Sequence, residues 1–386
     1  MAAYLIKRLL LIIPTMIGVL TITFLLTQFA PGGPVERTLA RIYGHDVSAT
    51  SRIGGGGGDG IADAQRGLQP GQGADSAGSR YRGAQGLDQR FIKQLEQQFG
   101  FDRPWYERYF KLLYDFARFD LGKSYFRDVT VIELIKEKLP VSISLGLWMM
   151  LLTYAVAIPL GIRKAVRDGE PFDTWTSGVL VLGYAIPGFL FAVLLIILFA
   201  GASFFQWFPT RGLHSDEWTR FLKPYGLIDG AVACAIRPAC LVDYFWHLTL
   251  PLTAMAVGAF TTMAFLTKNS FLDEIRKQYV ITARAKGLSE TRVLYGHVFR
   301  NAMLIVISGI PSAFVTAFFT GSLLIEQIFT LDGLGLLGFE SLINRDYPVV
   351  FATVYIYGLM GMLLHLLSDF IYTLVDPRID FETREV

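Results

Sequence analysis

Two short stretches of the sequence have residue types that could carry out chemistry. Gly122-Lys123-Ser124 resembles the end of a phosphate-binding loop, but that motif requires a glycine five residues earlier, where position 117 is alanine. None of the five histidines forms the His-Glu-x-x-His pattern of a catalytic zinc site. The sequence therefore predicts no catalytic residue, no bound metal and no cofactor of its own, and it indicates no nucleic-acid partner.

The second stretch, residues 279–301 (YVITARAKGLSETRVLYGHVFRN), is a polar and basic segment between two long apolar ones. Gly287 can close a first helix because glycine accepts the left-handed conformation common just after a helix end. Ser289 can then cap a second helix that reaches about Asn301. Basic side chains on this helix–turn–helix could bind anionic lipid headgroups. A short helix with a fixed turn is better suited to a groove in a partner protein.

The residues predicted to contact that partner lie on the first helix, around the turn and on the second helix. They are Tyr279, Ala283, Arg284, Ala285, Lys286, Gly287, Leu288, Ser289 and His297.

Six apolar segments are long enough to position this loop from within a bilayer, which requires about 20 apolar residues each. They cover 9–30, 141–162, 174–201, 246–267, 302–329 and 349–375. Lysine and arginine cluster before the first segment, after the second, and between the fourth and fifth. These clusters lie on one side if both termini are cytoplasmic, which is the orientation that the positive-inside rule favours.

The sequence predicts four parts. Residues 1–30 form the first membrane helix, and 31–140 form an external segment with a Gly-rich flexible insertion (48–86) and a helical subdomain (87–138). Residues 141–378 form a five-helix core that carries the cytoplasmic loop 268–301, and 379–386 form a cytoplasmic tail. The aromatic residues of the subdomain could anchor at the membrane interface or dock an external partner. Cys234 and Cys240 lie in an external loop and are either paired, as an oxidising compartment permits, or free thiols.

One face of the fifth segment carries small residues and hydroxyls at four-residue spacing. The hydroxyls belong to Ser308, Ser312, Thr316 and Thr320. Small residues allow close helix packing, and hydroxyls can bond across an interface. This face is therefore a packing seam between helices or the lining of a polar path. Glu326 lies near the end of the segment, where a buried charge is costly and often functional.

The basic loop resembles the "EAA" coupling loop of ATP-binding-cassette importer permeases, although only Ala283 and Gly287 of the general pattern are retained. His297, Asn301 and Ala302 are similar to the peptide-importer branch. Further matching stretches follow in the order of that branch. They are Asp120-Leu-Gly-Lys-Ser124, Leu139-Pro-Val-Ser142, Gly333-Leu-Gly335, Asn344-Arg-Asp-Tyr-Pro348 and Asp376-Pro-Arg-Ile379.

This resemblance implies an all-α polytopic protein of the bacterial inner membrane, with six transmembrane helices, the type I importer permease fold and an external helical subdomain. It implies import of peptides, peptide antibiotics among them, by alternating access. The implied partners are a homologous second permease, two ATPase domains on one chain or two, a periplasmic peptide-binding protein, the peptide and membrane lipid. ATP and Mg would bind on the partner subunits.

The alternative class is an ion-coupled secondary transporter of small solutes. Such proteins often have duplicated halves with broken helices around charges at half depth. The sequence shows neither feature. An intramembrane enzyme and a passive channel are further alternatives.

Overall fold

The computed structural model describes residues 2–29, 33–42, 89–201, 204–222, 224, 227–319 and 323–375. Within these ranges the chain is helical and contains no strand, only an isolated bridge between Lys123 and Thr130. The first eight helices are α1 (Ala2–Phe29), α2 (Pro34–Ile42), α3 (Gln89–Phe99), α4 (Trp105–Ala117), α5 (Val131–Val166), α6 (Pro171–Ala185), α7 (Gly188–Phe199) and α8 (Asp216–Leu222). The others are α9 (Leu227–Ala235), α10 (Pro238–Ile275), α11 (Gln278–Ala285), α12 (Glu290–Val293), a π-helix (Leu294–Val298), α13 (Phe299–Phe319), α14 (Leu323–Ile328), α15 (Leu334–Asn344) and α16 (Tyr347–Val375).

Five helical segments of the described chain are long and apolar enough to cross a membrane, and a sixth is added if the bent pair α6–α7 is one span. The all-α polytopic fold expected from the sequence is thereby confirmed. The helices extend beyond the predicted apolar segments. α5 begins ten residues before position 141, and α10 has 38 residues. Backbone hydrogen bonds continue a helix through polar residues, so hydropathy alone underestimates its length.

Prolines affect the membrane helices in different ways. α1 continues through Pro14 and α5 through Pro159. At Pro187, in contrast, α6 and α7 meet at an angle of 94°. Ile186 there has an extended backbone (ψ 120°), the conformation that a following proline favours. Among the described membrane helices, a break occurs at this proline and at no other.

The described residues divide into two compact units. One comprises the described residues within 1–16, 133–337 and 356–386, and the other comprises those within 17–132 and 338–355. Residues 338–355, from late in the chain, thus belong to the second unit.

The larger unit is held together by two apolar clusters and by close helix contacts. One cluster contains Leu145, Leu248 and Phe329, and the other is built around Phe271. At Gly161 of α5, a Cβ atom would lie 2.6 Å from the Thr267 Cβ of α10. α5 and α10 can therefore approach this closely only because position 161 is glycine.

A buried charged network joins the ends of α5, α6 and α10. Lys164 is fully buried, and its Nζ lies 2.9 Å from the Asp173 carboxylate and donates to the Thr176 and Ser177 hydroxyls. Lys268 of α10 lies 2.7 Å from the second oxygen of Asp173 and 2.8 Å from Asp168. Asp173 thus forms ion pairs with lysines on two different helices.

Glu326 is fully buried near the start of α15 rather than exposed to a path. Its Oε2 accepts a hydrogen bond from the Leu336 N–H at 2.8 Å. Ser142 supports the same turn, because its Oγ accepts from the Leu334 N–H at 2.9 Å. The carboxylate therefore satisfies backbone donors that the first turn of a helix leaves without intrahelical partners.

In the second unit, α2 and α3 pack through Val35, Leu39, Leu95 and Phe99. A polar contact in this unit involves Ser124, the last residue of the stretch that resembles a phosphate-binding loop.

Ser124 donates its hydroxyl to the Asp346 carboxylate, and the Tyr125 N–H donates to the same carboxylate at 2.9 Å. Burial, with the nearby Asp346 charge, raises the pKa of Tyr125 to about 12. The Ser124 hydroxyl, which a phosphate-binding loop would use, is thus bonded to an aspartate 222 residues away.

Cys234 and Cys240 form a disulfide. Both residues are buried. Of the two alternatives that the sequence left open, paired or free thiols, the structure has the pair.

Candidate functional site

The basic loop is built from two short helices between two membrane helices. α10 ends at Ile275 and α11 begins at Gln278, so the helix that Gly287 closes is separated from the membrane helix by Arg276-Lys277. The second helix does not stop near Asn301. It passes from α12 through the π-helix into α13, so the loop is continuous with a membrane-spanning helix.

Gly287 forms the turn between α11 and α12. Its φ is +79°, the left-handed conformation predicted for it. Its N–H donates to the Arg284 carbonyl at 2.9 Å, and the Leu288 N–H donates to the Ala283 carbonyl at 3.4 Å. This is the double hydrogen bond of a Schellman motif. The space around a Cβ at this position is empty, so only the backbone conformation restricts the residue.

Ser289 occupies the N-cap position of α12 with an extended backbone, but its hydroxyl makes no capping hydrogen bond. Its carbonyl accepts from the Val293 N–H at 2.9 Å. The side chain is exposed and thus available for other contacts.

The inner side of the loop packs against the membrane helices. Val280, Ala283, Val293 and Val298 are buried in the cluster built around Phe271. Ala283, predicted as a contact residue, therefore directs its methyl group into the protein. Its small size allows α11 to lie close to that cluster.

The outer side of the loop exposes most of the other predicted residues. Arg284, Ala285, Lys286, Gly287, Ser289 and His297 are exposed, and Tyr279 and Leu288 are half-buried. Two further large side chains, which are not among the predicted contact residues, also lie on this surface. Ile281 is 51% exposed and Tyr295 is 58% exposed. The available signal was their position beside the buried Val280 and Val293, from which a helix turns them outward.

Ion pairs within the loop order its basic side chains. Arg284 donates to both carboxylate oxygens of Glu290 at 2.9 and 3.0 Å, which ties α11 to α12 across the turn. Glu274 accepts from Lys277 and, at 2.7 Å, from the Tyr279 hydroxyl. The hydrogen bond to Glu274 raises the pKa of Lys277, and burial raises the pKa of Tyr279. Both groups therefore keep their protons at neutral pH.

The hydroxyl face of the fifth segment is only partly described. Ser308 lies in α13 and donates its hydroxyl to the Ile305 carbonyl of its own helix at 2.7 Å. The backbone of Ser312 and Thr316 belongs to the same helix, but their side chains, and the whole of Thr320, lie outside the described residues. The spacing of four along α13 puts positions 308, 312 and 316 on one helical face.

Comparison with known proteins identifies the family to which these features belong. Residues 157–381, which include the whole basic loop, match the family described as the binding-protein-dependent transport system inner membrane component. The chain belongs to this family. It is a permease subunit of an ATP-binding-cassette importer, a class of transporter that works with ATPase partners.

Relatives of this permease match over its full length. It is 58% identical over 386 residues, all of both chains, to the peptidoglycan transport system permease protein YejB of Agrobacterium fabrum. It is 53% identical, again over all of both chains, to the inner membrane ABC transporter permease protein YejB of Escherichia coli O157:H7. The oligopeptide transport system permease protein AppB of Bacillus subtilis is 31% identical, with 99% of this chain and 100% of AppB covered.

A solved structure of the MetNI methionine ABC transporter in inward facing conformations aligns with 63% of this chain and 97% of that chain, at 15% identity and a TM-score of 0.43.

The two YejB proteins and AppB all carry the word permease in their names, which agrees with a membrane transport subunit rather than an enzyme.

Proposed function

We propose that this permease moves peptides into the cytoplasm by alternating access, and that the loop from α11 to the π-helix is its contact with an ATPase domain. The observation that carries the proposal is the two-sided loop. Its inner side is packed into the membrane core through Val280 and Val298, and its outer side exposes Ile281, Lys286 and Tyr295. Such a loop can bind a partner and transmit a displacement to the helices on which it is packed.

The outer surface has the composition of a protein contact rather than of a lipid-binding face alone. Aromatic residues and arginine are enriched in the energetically important parts of protein interfaces. Here Tyr295 and Ile281 lie beside basic side chains, and the Arg284–Glu290 pair holds the surface in one shape. Preorganisation of this kind lowers the entropic cost of association.

The remaining partners follow from this role. A homologous second permease would complete the path, with Ser308, Ser312, Thr316 and Thr320 on its lining or on the seam between the two subunits. A periplasmic binding protein would deliver the peptide, and ATP and Mg would bind on the ATPase. The relative named for oligopeptide transport and the relative named for peptidoglycan transport favour a peptide-containing cargo.

The Gly287→Leu variant tests the coupling role. A leucine at φ +79° is strained, and a left-handed backbone costs an ordinary L-residue about 1–2 kcal/mol. The turn should open, while the packed inner side keeps the protein in the membrane. We expect peptide uptake and peptide-stimulated ATP hydrolysis by the reconstituted transporter to fall about tenfold or more, a fold-change that corresponds to about 1.4 kcal/mol.

The matched control is Gly287→Asn, because asparagine tolerates the left-handed conformation better than other non-glycine residues. It should retain most of the uptake. Normal uptake by Gly287→Leu would contradict the coupling role. Equal losses in both variants would show that the turn conformation is not what matters at this position.

A further inference from the structure

A cavity of about 450 Å³ lies at the broken third span of the larger unit. Its walls come from α6 and α7 on either side of Pro187, from the middle of α10, and from the start of α14. Among the lining residues are Tyr184, Ile186, Phe191, Met255, Gly258 and Leu324. The volume lies within the range of about 300–1,000 Å³ that is usual for small-ligand pockets.

The chemistry of the lining is uniform. Every residue that lines the cavity is uncharged, and the Tyr184 hydroxyl is the one polar side-chain group among them. A charged group placed there would lose its hydration without gaining a partner, which is strongly unfavourable. An apolar group would instead gain about 25 cal/mol for each Å² of surface removed from water. The cavity therefore suits an uncharged apolar group.

The cavity lies at half depth along two membrane-spanning helices. The break at Pro187 is near the middle of 171–199, and Gly258 is near the middle of α10 (Pro238–Ile275). Several transporter folds bind cargo at half depth, beside helices that are interrupted. One wall of this cavity is formed by the buried residues Ala254 and Ile325. Another wall includes Tyr184 and Leu324, which are exposed.

The interrupted backbone also offers hydrogen bonds. Gly188 and Phe189, in the first turn of α7, line the cavity, and the N-cap residue Pro187 provides no side-chain cap for that turn. The first N–H groups of a helix have no acceptor within the helix. A peptide can present a carbonyl to these donors and an apolar side chain to the cavity. A lipid tail has no acceptor, and a partner's helix has already used most of its carbonyls.

We propose that this cavity receives an apolar side chain of the translocating peptide and thereby favours peptides with bulky aliphatic or aromatic residues. The proposal rests on the function proposed above and adds a cargo preference with its location.

Gly258→Leu tests the site because it fills the cavity from a position where a Cβ would meet no atom within 4 Å. Gly361→Leu is the matched control, since position 361 in α16 is equally open but does not line the cavity. Uptake of Phe-containing and Ala-containing tripeptides would be compared in proteoliposomes that contain the complete transporter. We expect Gly258→Leu to lower the ratio of Phe-peptide to Ala-peptide uptake about tenfold, the effect typical of one or two methylenes in a pocket. Gly361→Leu should leave the ratio unchanged.

An unchanged ratio in an assembled Gly258→Leu transporter would overturn the proposal and point to lipid or the second permease as the occupant. If Gly258→Leu does not assemble, Leu324→Phe narrows the same cavity from its exposed wall, and the same ratio decides. Failure of the wild-type transporter to take up either peptide would instead refute the proposed function. The two failures are therefore distinguishable.

Discussion

At the scale of single residues, buried polar groups of this permease serve the backbone. Glu326 looked like a functional membrane charge in the sequence, yet its carboxylate accepts from the start of α15. Gly333 lies directly against it, and a Cβ there would overlap the carboxylate. The glycine and the glutamate therefore form one capping unit, in which neither residue can be enlarged or removed without loss.

Glu326→Ala should destabilise the protein by about 1–3 kcal/mol, because it leaves a buried N–H without an acceptor. Glu326→Gln retains an acceptor oxygen and should cost less. The thermal unfolding midpoint of the detergent-purified protein measures both variants. The capping role would be contradicted if the alanine variant unfolded at the wild-type temperature.

At the scale of helices, the charged network makes the ends of α5, α6 and α10 one connected element. α10 leads directly into the basic loop, whereas α6 leads to the break at Pro187. Asp173 of α6 pairs with Lys164 of α5 and with Lys268 of α10. Under the proposed coupling role, a displacement of the basic loop would reach the broken span through these ion pairs as well as through apolar packing.

Asp173→Asn should be strongly destabilising. It leaves Lys164 fully buried without a carboxylate, and removing one member of a buried pair costs about 3–5 kcal/mol. Arg276→Gln is the control, since the Arg276 side chain is 75% exposed and lies 3.8 Å from Asp168 at the rim of the same network. Exposed pairs contribute about 0–1 kcal/mol.

Denaturant unfolding of the two purified variants measures the difference. Similar unfolding midpoints for Asp173→Asn and Arg276→Gln would show that Lys164 finds another partner.

At the scale of the whole molecule, the distribution of charges and the disulfide indicate the same orientation of the chain in the membrane. Lysine and arginine concentrate in the loop between α10 and α13, and Cys234 pairs with Cys240 at the opposite end of α10. Disulfides persist in oxidising compartments. Both features agree with the predicted arrangement, in which the basic loop is cytoplasmic and the cysteines are external.

Once it is denatured, this permease should react with a maleimide only if it has been treated with a dithiol reductant. The chain has two cysteines, and both are in the disulfide. The Cys234→Ser variant is the control, because it frees Cys240 and should be labelled without reductant once the protein is unfolded. Labelling of the denatured wild-type protein without any reductant would contradict the paired state.

Several features could be predicted from the sequence because they depend on neighbouring residues. Apolar runs of about 20 residues predict membrane helices, since the bilayer requires an internally bonded backbone. Gly287 predicts a left-handed turn because glycine lacks the Cβ that penalises it. The motifs in order predict the family. The exposed residues of the loop were harder to predict. Ile281 and Tyr295 were not among the predicted contact residues, because exposure depends on which face of each helix is packed.

What the sequence by itself determined is local and compositional: the number of apolar spans, the turn at Gly287 and the family. Only the tertiary structure decided which proline interrupts its span. It also decided that the Ser124 hydroxyl is hydrogen-bonded to Asp346 and that Glu326 caps a helix. Each of these depends on groups brought together from distant positions in the chain. Local propensities carry no information about such partners, because a buried charge or a broken helix is stable only where the fold supplies the missing hydrogen bonds.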